Sequence, residues 1–112
     1  MSRKEPQLYE GMYIISAKLS DEARRKAFDK IVVGITSRGG EVLKLHEQGR
    51  KKLAYEINDH REGYYYLLYF SALPGVIEEI WDEYHISEDL IRFLTLRTDK
   101  VLEKLEFPQI AE

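Results

Sequence analysis

The residues best suited to chemistry fall in two short runs. The first is "GRKKLAY", residues 49–55, where Arg50, Lys51 and Lys52 stand in series shortly before Tyr55. Consecutive cations beside an aromatic suit a phosphate-binding site. The chain carries a net charge of -3, so a run of three cations is conspicuous. Its competing use is to protect a protruding strand from edge pairing. The second run is "GYYYLLY", residues 63–69. It spells most of the strand signature with which one class of RNA-reading module stacks bases. Tyr65 takes the place of the small residue in that signature, and Glu62 that of the basic one.

Alternation along the strand decides how far that match goes. Base stacking would turn Tyr64 and Tyr66 outward and put Tyr65, Leu67 and Tyr69 inside. The strand continues as Phe70, Ser71 and Ala72, so this phase would expose Phe70 and bury Ser71. That forgoes about 1.5–3 kcal/mol for one large side chain. The opposite phase is therefore predicted. Tyr66, Leu68 and Phe70 face the core, while Tyr65, Leu67 and Tyr69 face the other side.

Other reactive chemistry is sparse. His46, His60 and His85 lie in different elements without ligand spacing, and cysteine is absent. Thus no metal site, cofactor or thiol nucleophile is expected. Glu78, Glu79, Asp82 and Glu83 read as the solvated face of a helix. A phosphate-cradling loop between the first strand and helix would need glycines, and "SAKLSDE" has none. Neither catalysis nor a small-molecule substrate is expected. "MSRKEPQLYE" has no apolar leader, and no later stretch approaches a membrane span. A cytoplasmic protein without a membrane partner fits these features.

Six elements must position these groups. "LYEGMYIIS", 8–16, reads as a strand from its aromatic and β-branched content. Ser20 is a good N-cap for a helix opening on Asp21 and Glu22. Ala23, Ala27, Phe28, Ile31 and Ile35 make its inner face, with Arg24, Arg25, Lys26 and Lys30 facing away. Gly39-Gly40 ends it. Residues 41–57 are extended, with Gly49 placed to bulge and rephase the strand. A turn at "NDHREG" leads to the tyrosine strand ending at Ala72. Pro74 opens a second helix, with Val76, Ile77, Ile80, Trp81 and Tyr84 inside. "LIRFLTLR", 90–97, is the last strand.

The order βαββαβ with two amphipathic helices predicts an α+β, ferredoxin-like fold. It is a four-stranded antiparallel sheet with both helices on one face. The 112 residues make one domain, with a core at about 8–98 and extensions at 1–7 and 99–112. The other sheet face has no helix to cover it and is the place to seek function.

"GRKKLAYEI", "GYYYLLYF", the early "YE" and "LIRFLTLRTDK" together resemble the bacterial small-subunit ribosomal protein six family. The resemblance spans roughly Tyr9 to Lys100. Glu56 stands where that family usually has proline, basic residues are displaced from Tyr9-Glu10 to Arg3 and Lys4, and a long acidic tail is lacking. The resemblance implies a structural protein that binds small-subunit (16S) ribosomal RNA together with ribosomal protein eighteen. On that basis Arg50, Lys51, Lys52, Arg92 and Arg97 are expected to contact RNA. Tyr65, Leu67 and Leu94, supported by Tyr9 and Glu10, are expected on the partner-protein surface. The rival expectation is a regulatory or ligand-binding module that dimerises through its open sheet face.

Overall fold

Ser20 starts the first helix in the way its side chain permits, its Oγ accepting from the Ala23 backbone N–H at 3.2 Å. The computed structural model describes residues 5–57, 60–87 and 89–101. Its elements are β1 (Gln7–Ser16), α1 (Asp21–Thr36), β2 (Glu41–Ile57), β3 (His60–Ala72), α2 (Pro74–His85) and β4 (Leu90–Arg97). Beyond α1, Gly39 adopts φ 85°, and the Gly40 N–H closes onto the Ile35 carbonyl at 2.9 Å. Pro74 occupies the first turn of α2, where a missing N–H costs nothing.

The strands form one antiparallel sheet in the order β2-β3-β1-β4. This is the expected ferredoxin-like α+β fold. The core lies between the sheet and both helices. Tyr13 and Ile15 from β1 and Tyr66, Leu68 and Phe70 from β3 meet Ile31 and Ile35 of α1 and Val76, Ile80 and Tyr84 of α2. Ring contacts bind the layers, with Phe28 stacked on Tyr66 at 4.6 Å and Tyr84 edge-on to Tyr13 at 5.4 Å. The phase predicted for the tyrosine strand is the phase observed.

Several details differ from the sequence reading. The turn expected over "NDHREG" is shorter, because β3 already begins at His60, and Asn58 and Asp59 lie outside the described residues. The expected extensions at 1–7 and 99–112 also lie largely outside them. Trp81 was expected inside, but is 48% exposed. It sits on the flank of α2, above the edge strand β4, packed edge-on against His85 and Phe93. An edge strand has no further neighbour to close over it. Arg24 does not face away from the core: its guanidinium lies 3.9 Å from the Tyr64 ring centroid and bonds Asp21 at 2.9 Å.

The largest difference is on the open face. By register Tyr65, Leu67 and Tyr69 do lie there, yet Leu67 is 1% exposed and Tyr69 0%. Both sit on a central strand between large neighbours of the same face. Leu67 lies between Met12 and His46, and Tyr69 between Glu10 and Lys44, with the His46 ring edge-on to Tyr69 at 6.1 Å. Absence of a covering helix does not by itself make a central row accessible.

Candidate nucleic-acid interface

The cations are placed by an overlong hairpin. β2 has 17 residues and β3 has 13, against 10 in β1 and 8 in β4. Gly63 is the last β3 residue paired with β1, opposite Ser16, so Arg61 and Glu62 lie past that ladder. Two bulges phase β2. One, at Leu43, is not evident from the sequence and brings both Val42 and Leu45 to the helix side. The other, at Gln48-Gly49, was expected, and Gly49 takes φ 82° there.

That second bulge separates the basic run onto two faces. Arg50 is opposite Tyr64 and bonds Glu62 at 2.7 Å, the contact that chiefly holds its pKa above the ordinary arginine value. Lys51 falls on the open face, its Nζ 5.5 Å from the Tyr65 ring centroid and 3.2 Å from Gln48 Oε1. Lys52 is exposed and returns to the Arg50 side, opposite Glu62.

Beyond Lys52 the ladder slips again. Lys52 pairs with Glu62 and Ile57 with His60, five steps against two, so β2 carries three extra residues. Tyr55 lies in this slack and is 60% exposed. It reaches across to the far edge strand, where Arg92 Nη1 donates to its Oη at 3.1 Å. The Arg92 guanidinium also lies 5.9 Å from the ring centroid. Sequence reasoning did not assign Tyr55 to the site. The available signal was an aromatic residue three positions after a basic run.

Arg92 and Arg97 do not extend one surface, as had been expected. They are five residues apart on a strand, an odd spacing that puts them on opposite faces. Arg92 is opposite Ile14 on the open face, whereas Arg97 is opposite Tyr9 and bonds Gln7 Oε1.

The residues expected to meet a protein partner also divide. Tyr9 is 8% exposed and stacked on Phe70 in the helix-side core, so its side chain is not available at the surface. Leu67 is enclosed, as described above. Tyr65 and Glu10 are half-buried on the open face, and Leu94 is exposed there. Leu96, also exposed and in register with Glu10, belongs to the same row as Leu94. Alternation from Arg92 through Leu94 to Leu96 would have shown it.

Among the described residues no group of acidic, His or Cys side chains could hold a metal ion, and no helix is long and apolar enough to cross a membrane. A groove between α1 and α2 is lined by Ile31, Tyr84 and Leu90, with Arg38 bonded to Glu83 at 2.6 Å on its rim. It lies across the sheet from Lys51, Tyr55 and Arg92.

Known proteins resemble this chain along its whole length. A sequence profile of the family described as Ribosomal protein S6 matches residues 8–97. The small ribosomal subunit protein bS6 of Protochlamydia amoebophila is 64% identical over 112 residues, covering 100% of this chain and 98% of that protein. That of Chlamydia abortus is 62% identical, covering 100% of both chains. The crystal structure of 30S ribosomal protein S6 from Thermotoga maritima matches with a TM-score of 0.79 at 29% identity, covering 84% of this chain and 89% of that one. With a family match across the entire βαββαβ unit and relatives this similar from end to end, the chain belongs to the bacterial ribosomal protein S6 family.

Proposed function

We infer that this chain is a structural component of the bacterial small ribosomal subunit and binds its 16S ribosomal RNA. The observation that carries this reading is the end-to-end similarity to small ribosomal subunit proteins, 64% identical over 112 residues. The role is one of position and not of catalysis, exercised on the cytoplasmic ribosome. The same membership supports assembly beside ribosomal protein S18.

Within that role the two surfaces take different partners. Lys51, Lys52 and Arg92 are the cations best placed for phosphates. Arg50 contributes less, because Glu62 already satisfies its guanidinium and would have to be displaced. Arg97 stands apart on the helix-side face. The β1–β4 side of the open face, with Glu10, Leu94 and Leu96, suits the protein partner, since it is apolar with one carboxylate; half-buried Tyr65, on β3 between Ile14 and Gly49, borders the cations. Leu67 packs beside Met12 at the margin of that surface, and Tyr9 lies on the helix side of β1.

Sedimentation tests the reading directly. A tagged copy expressed in its own or a related bacterium should sediment with free small subunits and with whole ribosomes. It should be absent from isolated large subunits. A copy found only at the top of the gradient, or as a free dimer, would refute the assignment.

A further inference from the structure

Tyr55 lies where β2 slackens beyond Lys52. It is 60% exposed, yet its hydroxyl is fixed by Arg92 at 3.1 Å, and a ladder irregularity of three extra residues carries it there. We propose that Tyr55 is a base-stacking platform and that the RNA segment met by this end of the open face is unpaired. This rests on the RNA-binding reading above and narrows its ligand to single-stranded nucleotides.

The partners of the open-face cations favour this occupant. Several cations elsewhere are held by carboxylates, Arg50 by Glu62, Arg38 by Glu83, Arg24 by Asp21, Lys26 by Glu22 and Arg61 by Glu56. On the open face, among the described residues, Lys51 and Arg92 have no carboxylate within ion-pair distance. Each is instead associated with a tyrosine ring, Lys51 with Tyr65 and Arg92 with Tyr55. Two cation–aromatic pairs on one surface provide both halves of single-strand recognition. The charges hold phosphates, and a ring offers its face to a base whose partner has left it. Duplex RNA hides its base faces and presents phosphates and 2′-hydroxyls, for which an exposed ring has no use. An apolar protein surface would have to desolvate Lys51 and Arg92 without supplying a carboxylate.

Arg92 acts here as a positioning residue. A hydrogen bond at the ring's outer end limits how the exposed ring can turn, so less freedom is lost when a base stacks. The bond also ties the two edge strands of the sheet, β2 and β4, across the open face.

Small subunits carrying a photoreactive azidophenylalanine at position 55 provide the test. Irradiation should crosslink position 55 to 16S rRNA, and the crosslinked nucleotide should be unpaired. In direct binding of the chain, with ribosomal protein S18, to the crosslinked rRNA region, Tyr55→Leu should weaken affinity roughly 5- to 150-fold. Tyr55→Phe should stay within a few-fold. Both should leave the salt dependence unchanged, since no charge is removed. Crosslinks to protein alone, or to a base-paired nucleotide, overturn the proposal while leaving RNA binding by the chain intact. So does equal loss with Phe and Leu, which would assign the hydroxyl and not the ring. If the chain with Tyr55 intact fails to enter small subunits, the RNA-binding reading itself fails and this inference with it.

Discussion

Tyr65 and Leu67 are next neighbours on one face of β3, and truncating each tests a different cost. Leu67 is enclosed between Met12 and His46, so Leu67→Ser loses a buried side chain and leaves a hydroxyl without water. The expected destabilisation is about 2–5 kcal/mol, comparable with Leu68→Ala on the opposite face. Tyr65 keeps part of its ring in solvent, and Tyr65→Ser should cost less than half of that. Urea unfolding of the four proteins decides it, and equal losses at 65 and 67 would contradict the burial described. Gly49 allows a similar contrast in backbone terms. A methyl group at Gly49 meets nothing within 4 Å, yet φ 82° is unfavourable for any other L-residue, so Gly49→Ala should cost about 1–2 kcal/mol. Gly75 in α2 is equally open but has no positive φ, and Gly75→Ala should stabilise by about 0.5–1 kcal/mol. Thermal melts of the two variants should therefore move in opposite directions.

At the scale of elements, β1 and α2 are joined by a buried pair of phenols. Tyr13 and Tyr84 hydroxyls lie 3.2 Å apart, and the rings meet edge-on. Burial, first of all, pushes the Tyr84 pKa from 10.0 up to about 12, and the Tyr13 hydroxyl is driven well above its ordinary value for the same reason. The neutral form is thus favoured in the folded state more than in the unfolded one. Stability from this source is complete below pH 10 and is lost as pH rises toward 12. For Tyr84 alone the loss amounts to about 2–3 kcal/mol. Stability measured from pH 8 to 11.5 should fall more steeply for the native chain than for the Tyr13→Phe, Tyr84→Phe double variant. Removing both hydroxyls together leaves no orphaned partner in the pair, so the variant should remain close to native stability at neutral pH. Parallel alkaline limbs would mean that the pair ionises as freely folded as unfolded.

The whole molecule is acidic, so RNA affinity must come from where its cations are placed and not from their number. Each phosphate contact contributes about 0.7–0.9 to the slope of log affinity against log salt. Replacing Lys51, Lys52 and Arg92 with Gln should flatten that slope by roughly 2–3 in binding to 16S rRNA with the partner protein. Arg50→Gln alone should change it little, because Glu62 already accompanies that charge. Arg25 and Lys30 on α1 are exposed and serve as the control; Arg24 does not, since it packs on Tyr64. A slope flattened by the α1 variant and not by the Lys51, Lys52 and Arg92 variant would move the RNA surface to the helix side. Folding stability should be nearly unchanged throughout, as solvated charges contribute little to it.

The elements of this protein were legible from local rules. Ser20, Gly39, Gly49 and Pro74 declare their roles through capping and backbone freedom, which depend on near neighbours only. The phase of β3 was equally legible, because burying Phe70 and not Ser71 is worth more than the near-match to a stacking strand. Three things required the folded chain. Leu67 and Tyr69 are closed off because β3 is central, a consequence of strand order that alternation cannot express. Arg92 and Tyr55 meet although 37 residues separate them, because three extra residues in β2 swing one edge strand's side chain to the other. And the basic run divides between two faces, with Arg50 matched by Glu62, because a bulge sets phase only in relation to the strand it pairs with. Sequence determines which groups are present and how each segment alternates; which charges remain unmatched is decided only when the sheet brings distant carboxylates near some of them and not others.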